Sequence, residues 1–180
     1  MLSPLGPASD ARVKLEVTIR TRGVSFERCR TAYFSEAFNQ EVMPVTGLSA
    51  REVVESSTLP GEREYRRVRM VPKVHLPRPV LRLLEGHEIA YYEVTTYDPA
   101  AQTAELHIES EAGEVVQVAG VVSFTESGAE VVTRFRGEAK VAVFGVGRLI
   151  EKLIVSEVTK RYARVEQLLQ EYLDAGRDLA

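Results

Sequence analysis

Five polar side chains have the chemistry to orient a bound molecule or to transfer a proton: Tyr91, Tyr92, Glu93, Thr133 and Tyr162. Successive residues of a β-strand point to opposite faces, so Tyr91 and Tyr92 cannot both face the interior. The two residues before them are both apolar and leave the parity open. We expect Tyr92 to face inward with Val94 and Glu93 to face outward, which argues against Glu93 as a buried general acid. A buried tyrosine usually finds a partner for its hydroxyl, so a structural role explains these phenols equally well.

The histidines and the cysteine form no recognised catalytic or metal-binding motif. His75, His87 and His107 lack the spacing of metal ligands and have no cysteine neighbours, so we expect no metal and no cofactor. Cys29 is the only cysteine and cannot form an internal disulfide. It is expected to be a small buried apolar side chain in a protein of the reducing cytoplasm.

The element best suited to cover an interior site is a long amphipathic helix near the end of the chain. Apolar residues recur at steps of three and four over residues 146–173, which is typical of one broad stripe along about seven helical turns. The stripe consists of Val146, Leu149, Ile150, Leu153, Ile154, Val158, Tyr162, Val165, Leu168, Leu169, Tyr172 and Leu173.

Most of the preceding chain has the pattern of short strands separated by turns. Residues 13–19 alternate between apolar and polar and predict a first strand. A helix is predicted from Phe26, with a break near Ser35 left open, and Pro44 is expected to end it. About six strands then follow over residues 48–144. This order predicts an α+β fold in which a curved antiparallel sheet of about seven strands wraps around the last helix.

A sheet and helix of this kind can leave a hollow between them, lined by the inward-facing strand residues. Core packing explains any single one of these residues at least as well as ligand contact. Small residues in otherwise bulky strands, such as Gly120 and Gly137, leave volume unfilled unless neighbours bend in to occupy it. The residues expected to contact a ligand are Met70, Tyr92, Leu106, Ile108, Val118, Gly120, Val122, Phe135, Ala139, Leu149, Leu153 and Tyr162.

Residues 72–86 are interrupted by two prolines and are expected to form a loop or a short helix. An apolar cluster lies here beside Arg78 and Arg82. It could gate the cavity mouth, dip into a membrane surface or simply pack over the core. The residues assigned to this gate are Leu76, Val80, Leu81 and Leu84.

The charge distribution adds a second candidate surface. The net charge is −3, but residues 63–82 hold seven basic side chains against Glu64 and carry +6, which leaves −9 on the rest of the chain. A basic patch formed by Arg67, Arg69 and Lys73 would suit an acidic protein or a transient contact with an anionic membrane, and a solvated strand face explains it equally well. Nucleic acid is not expected, because the segment is short, lacks a recognised module and belongs to an acidic protein.

Length and composition fit one globular domain. The 180 residues are 44% apolar and 27% charged, and no stretch reaches the roughly 18 apolar residues of a membrane span. We expect a flexible leader over residues 1–11, without the features of a secretion signal, and a single domain over residues 12–176.

Three segments carry a resemblance to a known family. They are the first strand with residues 26–43, the proline-bracketed residues 75–79 before a strand at Glu88, and the turn at residues 144–151 that leads into the last helix. Together they resemble the START-like or SRPBCC superfamily, whose helix-grip fold is shared with the birch pollen allergen group. The glycine-pair turn at the start of the last helix looks most like an uncharacterised bacterial branch of it.

The resemblance implies a cavity between the curved sheet and the last helix that holds lipids, sterols, polyketides or other apolar molecules. Members of the superfamily include lipid carriers, aromatase or cyclase enzymes, ring-hydroxylase subunits and co-chaperones, and the fold alone does not choose among them. No catalytic set of a polyketide cyclase carries over residue by residue.

These observations lead us to expect a protein that binds, and carries or sequesters, a lipid-like hydrophobic or amphipathic small molecule. One alternative is a polyketide cyclase or aromatase-like enzyme, which needs convergent polar groups inside the pocket. The other is a module that binds a membrane or a protein partner through residues 63–82.

Overall fold

Alternation of apolar and polar residues produces the strands of the sheet, which are antiparallel throughout. The computed structural model describes residues 12–73, 90–111, 116–141 and 147–179. Seven strands lie within these residues and form one sheet in the order β1-β7-β6-β5-β4-β3-β2. They are β1 (Arg12–Arg22), β2 (Leu48–Leu59), β3 (Arg63–Pro72), β4 (Tyr91–Asp98), β5 (Thr103–Ser110), β6 (Val116–Ser127) and β7 (Glu130–Val141).

Two short helices connect β1 to β2, and a single serine separates them. They are α1 (Phe26–Phe34) and α2 (Glu36–Thr46). Ser35 ends α1 by donating its backbone N–H to Ala32, and its side chain accepts the backbone N–H of Phe38 at 3.2 Å to begin α2. This is the N-cap arrangement that serine favours. The question of a break near Ser35 is therefore resolved in favour of two helices.

The prediction that Pro44 ends the second helix is wrong, because α2 continues to Thr46. Pro44 lies in the last turn. Its missing N–H therefore removes only one hydrogen bond, close to the helix end, where the last carbonyls already lack partners within the helix. Gly47 then closes the helix in the left-handed conformation, with φ of 68°, and donates its N–H to the carbonyl of Met43. The Thr46 hydroxyl donates to the same carbonyl at 3.0 Å.

The long helix α3 (Gly147–Asp174) packs against β1, α1, α2 and β7, and a 3-10 turn (Arg177–Leu179) follows it. Its periodic residues Val165, Leu169 and Leu173 are buried against Ile19 of β1 and Phe38 of α2. Each fully buried leucine of this kind contributes about 1.5–3 kcal/mol relative to an exposed one. The α+β helix-grip architecture predicted from the sequence is thus confirmed. In the described part of the chain, no helix has the length and hydropathy that crossing a membrane would require.

Candidate functional site

The strand register determines which side chains face the helices. Glu93 of β4 pairs with Ile108 of β5, Ile108 pairs with Val118 of β6, and Val118 pairs with Ala139 of β7. Paired residues on neighbouring strands point to the same face of a sheet. The inner row that these four residues define therefore carries a carboxylate as well as apolar side chains.

This register corrects the expected parity of β4. Tyr91, Glu93, Thr95 and Tyr97 face inward, and Tyr92 lies on the outer face, where the Arg67 guanidinium is 3.7 Å from the centre of its ring. Thus Tyr92 is not on the inner face, and Glu93 is not on the outer one. Val94 and Thr95 are both buried although they lie on opposite faces, so the apolar character of Val94 gave no guide to the interior.

Glu93 lies deep in the protein, yet it retains accessible surface. Burial raises the pKa of its carboxyl from the ordinary glutamate value, and the positive charges of Arg66 and Arg51 act in the opposite direction. Among the described residues no hydrogen bond or ion pair to this carboxyl is formed. The group is therefore able to exchange a proton or to accept a hydrogen bond from a bound molecule.

Three phenols lie close enough to Glu93 to respond to its charge. Burial and, after it, the charge of Glu93 raise the pKa of Tyr162 to about 12, and the same two causes raise the pKa of Tyr91. Burial is also the largest cause of the raised pKa of Tyr33, followed by its interaction with Tyr162 and then with Glu93. All three phenols are consequently neutral near pH 7 and can both donate and accept hydrogen bonds.

Two arginines occupy the inner face next to this cluster, at the junction of α1 and α2. Arg66 donates to the carbonyl of Phe34 at 2.5 Å, and its guanidinium lies 5.6 Å from the centre of the Phe34 ring. Arg51 is buried and forms an ion pair with Glu36. Within the described residues its Nε and Nη2 atoms have no hydrogen-bond partner. Burial, and then the charge of Arg51, lower the pKa of Arg66.

Sequence reasoning missed Arg51 and Arg66 on the inner face and Tyr33 of α1 beside it. A signal for Arg66 was present, because it has the same strand parity as Val68 and Met70, which are both buried. Its position in a run of basic residues suggested a solvated face instead.

Of the twelve predicted ligand contacts, Tyr92 lies on the outer face, and the other eleven fall into three groups. Leu106, Ile108, Val118 and Gly120 of the inner face, together with Tyr162 of α3, keep part of their surface accessible. The buried members are Val122, Phe135 and Ala139, which pack together with β1, and Met70, which packs against Leu48 and Val68. Leu149 and Leu153 belong to α3, but their side chains lie outside the described residues, as do all four gate residues, Leu76, Val80, Leu81 and Leu84.

The question of whether Gly120 and Gly137 leave empty volume or are covered by a neighbour is resolved in favour of a neighbour. These glycines pair across β6 and β7, and the ring of Phe135 lies over both. A Cβ atom on either glycine would be 2.7 Å from a Phe135 ring carbon. A neighbouring aromatic ring therefore fills the space that the missing side chains leave.

Thr133 and the basic patch do not contribute to the inner cluster. Thr133 is buried, with its hydroxyl 3.9 Å from the sulfur of Cys29. On the outer face, Arg67 forms an ion pair with Glu109 at 2.9 Å, and Arg69 forms one with Glu111 at 2.8 Å. These acids neutralise much of the patch defined by Arg67, Arg69 and Lys73. The described residues contain no cluster of histidine, cysteine and carboxylate side chains suited to a metal ion.

Solved structures share this fold at low sequence identity. Zhui aromatase/cyclase from Streptomyces sp. R1128 superposes with a TM-score of 0.66 at 11% identity, covering 91% of this chain and 96% of that chain. TTHA0849 from Thermus thermophilus superposes with a TM-score of 0.62 at 15% identity, covering 91% and 99%. A START superfamily protein from Mycobacterium smegmatis superposes with a TM-score of 0.53 at 15% identity, covering 86% and 98%. The fold is therefore the START-like fold that the sequence resembles.

Comparison by sequence is more limited. None of the curated proteins matches this chain. The model of a family described as a protein of unknown function (DUF2505) matches residues 11–173, so the chain belongs to that family.

Proposed function

We propose that the protein binds a hydrophobic or amphipathic small molecule between the inner face of the sheet and α3, and that it carries or sequesters this molecule. The observation that supports the proposal is the inner row formed by Glu93, Ile108 and Val118. These side chains lie on the concave face that packs toward the helices, yet they keep accessible surface. By contrast, Val122 and Ala139 of the same face are fully covered.

The inner face is suited to a molecule with two different ends. Leu106, Ile108 and Val118 offer apolar surface, whose burial against a ligand is worth roughly 25 cal/mol per Å² before the costs of association. The phenols and the carboxyl of Glu93 offer hydrogen bonds at the β4 side of the same surface. An amphipathic molecule would satisfy both parts, whereas a purely apolar one would leave polar groups without partners.

The first test is native mass spectrometry of gently purified protein, which we expect to detect a bound lipid-like mass. A pair of variants on one strand then locates the site. Val118→Phe adds a ring to the inner face, and Val121→Phe adds the same ring to the outer face, where Val121 is 41% exposed. The affinity is measured for the molecule recovered from wild-type protein. We expect Val118→Phe to weaken this affinity by about tenfold or more, and Val121→Phe to leave the affinity unchanged.

Equal affinity in the two variants would contradict the proposed location. Absence of a bound mass, together with no binding of an environment-sensitive dye such as anilinonaphthalene sulfonate, would contradict ligand binding itself.

A second candidate function is an enzyme of the polyketide cyclase or aromatase type. A specific observation supports it: a carboxyl with a raised pKa lies beside neutral phenols on the inner face. Glu93 would act as the base that removes a proton from the carbon next to a carbonyl group, and a phenol would donate a hydrogen bond to the carbonyl oxygen.

Deuterium exchange tests this candidate without knowledge of the natural substrate. If Glu93 is such a base, the protein accelerates exchange of the α-hydrogens of 1-tetralone in D₂O, followed by NMR, and Glu93→Gln abolishes the acceleration. Exchange at the buffer rate with wild-type protein would leave ligand binding as the better proposal.

A further inference from the structure

The inner face leaves the carboxylate of Glu93 without a hydrogen-bond donor. Glu93 lies in one cross-sheet row with Ile108 and Val118, deep in the protein and still accessible. Among the described residues none donates a hydrogen bond to it, and Arg66 and Arg51 influence its charge without forming an ion pair with it. A carboxylate held at depth without a donor is costly, so the site favours a ligand that supplies one.

The phenols that surround this carboxylate can each donate and accept a hydrogen bond. Tyr33, Tyr91 and Tyr162 are each affected by the charge of Glu93, and each is a neutral phenol. At a pH above its pKa, the ionised Glu93 carboxylate only accepts hydrogen bonds, whereas a phenol both donates and accepts them. A ligand head group therefore meets one obligatory acceptor and several groups that adapt to it.

Three common head groups fit this arrangement to different degrees. A carboxylate would be attracted by Arg66 and Arg51, but it would place a second negative charge beside Glu93 and has no hydrogen to donate to it. An ammonium group donates to Glu93, but it cannot accept from a phenol, and the positive charges of Arg66 and Arg51 oppose it. A hydroxyl group donates to the carboxylate and accepts from a phenol at the same time.

We propose that the ligand is an alcohol or a phenol whose hydroxyl donates its hydrogen to the Glu93 carboxylate, while its carbon skeleton lies along Leu106, Ile108 and Val118. This inference rests on the proposed function, because it names the class of molecule that the same site takes. Glu93 then acts as a specificity-determining residue, because it increases the affinity for a ligand that donates a hydrogen bond and lowers the affinity for an anion of the same size.

Three naphthalene probes of similar size separate these possibilities: 2-naphthol, 2-methoxynaphthalene and 2-naphthoate. The methoxy compound keeps the oxygen but lacks the hydrogen, and the naphthoate adds a negative charge. Isothermal titration calorimetry measures each dissociation constant on wild-type protein and on Glu93→Leu, Glu93→Gln and Glu105→Gln. Glu105 is the matched control, because it is an exposed glutamate on the outer face of β5.

We expect wild-type protein to bind 2-naphthol about tenfold or more tightly than either other probe. The same preference is expected in Glu105→Gln. In Glu93→Leu the affinities for 2-naphthol and 2-methoxynaphthalene should become similar. In Glu93→Gln, whose amide oxygen still accepts a hydrogen bond, part of the preference should remain. Circular dichroism of each variant establishes that it is folded. If Glu93→Leu does not fold, the comparison of probes is made on Glu93→Gln.

The possible failures are distinguishable. Equal binding of the three probes to wild-type protein, tighter binding of 2-naphthoate, or a naphthol preference that persists in Glu93→Leu would overturn this inference and leave the proposed function standing. If none of the probes binds wild-type protein, this inference is overturned, and the proposed function fails with it only when no bound mass and no dye binding are found either.

Discussion

Arg66 of β3 reaches across the inner face and donates a hydrogen bond to the backbone carbonyl of Phe34, the last residue of α1, at 2.5 Å. The final carbonyls of a helix have no partner within it, and a positive charge at that end is favourable. Arg66 therefore links the sheet to the junction between α1 and α2 while its guanidinium lies over the Phe34 ring. A residue from the basic segment thus has an internal role.

We expect Arg66→Met to lower the free energy of unfolding by about 1–3 kcal/mol, because it leaves a helix-terminal carbonyl without a charged donor. Urea denaturation measures the change. Arg63→Met is the matched control, since Arg63 also donates to a backbone carbonyl, that of Pro60, but at an exposed position. Its effect should stay within about 0.5 kcal/mol. Equal effects of the two substitutions would contradict the role given to Arg66.

Glu93 is expected to make the protein less stable as the pH rises, whereas a carboxylate in an ion pair has the opposite effect. Burial raises its pKa in the folded protein, so the folded state holds its proton more strongly than the unfolded state does. The stability that proton binding to Glu93 contributes to the folded state is therefore fully present below the ordinary glutamate pKa of 4.5. It is lost as the pH rises through the raised pKa that Glu93 has in the folded protein. Glu93→Leu should accordingly be more stable than wild type near neutral pH, with a gain that shrinks toward pH 4.5.

Urea midpoints of wild type and Glu93→Leu, measured at several pH values between about 4 and 8, give this difference directly. The comparison cancels the contributions of Glu36, Glu109, Glu111 and Asp178, whose lowered pKa values have the opposite effect. A difference that does not vary with pH would show that Glu93 has an ordinary pKa.

Gly120→Ala should destabilise the protein by about 1–3 kcal/mol. The substitution reverses the usual preference for alanine over glycine in a strand. Its Cβ would be 2.4 Å from the carbonyl oxygen of Arg136 and 2.6 Å from the Cα of Gly137, and both are backbone atoms that cannot move aside easily. Thermal or urea unfolding measures the effect, and Ala119→Ser, on the exposed face of the same strand, is the control.

The double variant Gly120→Ala/Phe135→Leu tests the role of the ring. If Phe135 contributes to the crowding, the effect of Gly120→Ala should be smaller in the Phe135→Leu background. Simple additivity of the two substitutions would place the whole conflict on the backbone of β7.

Cys29 should react with a disulfide reagent only when the protein opens. Its thiol is fully buried, and burial raises its pKa, so little thiolate is present or accessible in the folded state. We expect Ellman's reagent to label wild-type protein slowly in buffer and rapidly in urea. Ser57→Cys adds a thiol at an exposed position of β2 and should be labelled at once. Rapid labelling of Cys29 in buffer would show that the packing of α1 against β1 is loose.

The overall fold followed from periodicity alone, because steps of two and of three to four residues reflect the geometry of strands and helices. The long helix predicted over residues 146–173 differs from the observed helix by one residue at each end. The end of α2 was harder to predict, because Pro44 lies within the helix although proline usually ends one. Gly47 and Thr46 complete the last turn after it.

The candidate site was only partly predictable, because it depends on which face of β4 is inside. Both faces of that strand bury side chains, so hydrophobicity did not distinguish Tyr91 and Glu93 from Tyr92 and Val94. The decisive information is long-range: the pairing of Glu93 with Ile108 and of Thr95 with Leu106. The neighbouring strand β5 alternates cleanly, and the parity of β4 follows once that partner is known.

The alternation along β4 also has a consequence for the proposed binding surface. The strand carries two different sets of side chains, and a displacement by one residue would exchange the polar set that contains Glu93 for the one that contains Tyr92 and Val94. A shift of the β4 pairing by one residue would thus remove Glu93 from the proposed binding surface without any substitution within that surface. If the proposed function holds, a change in strand pairing would thus alter ligand preference in one step.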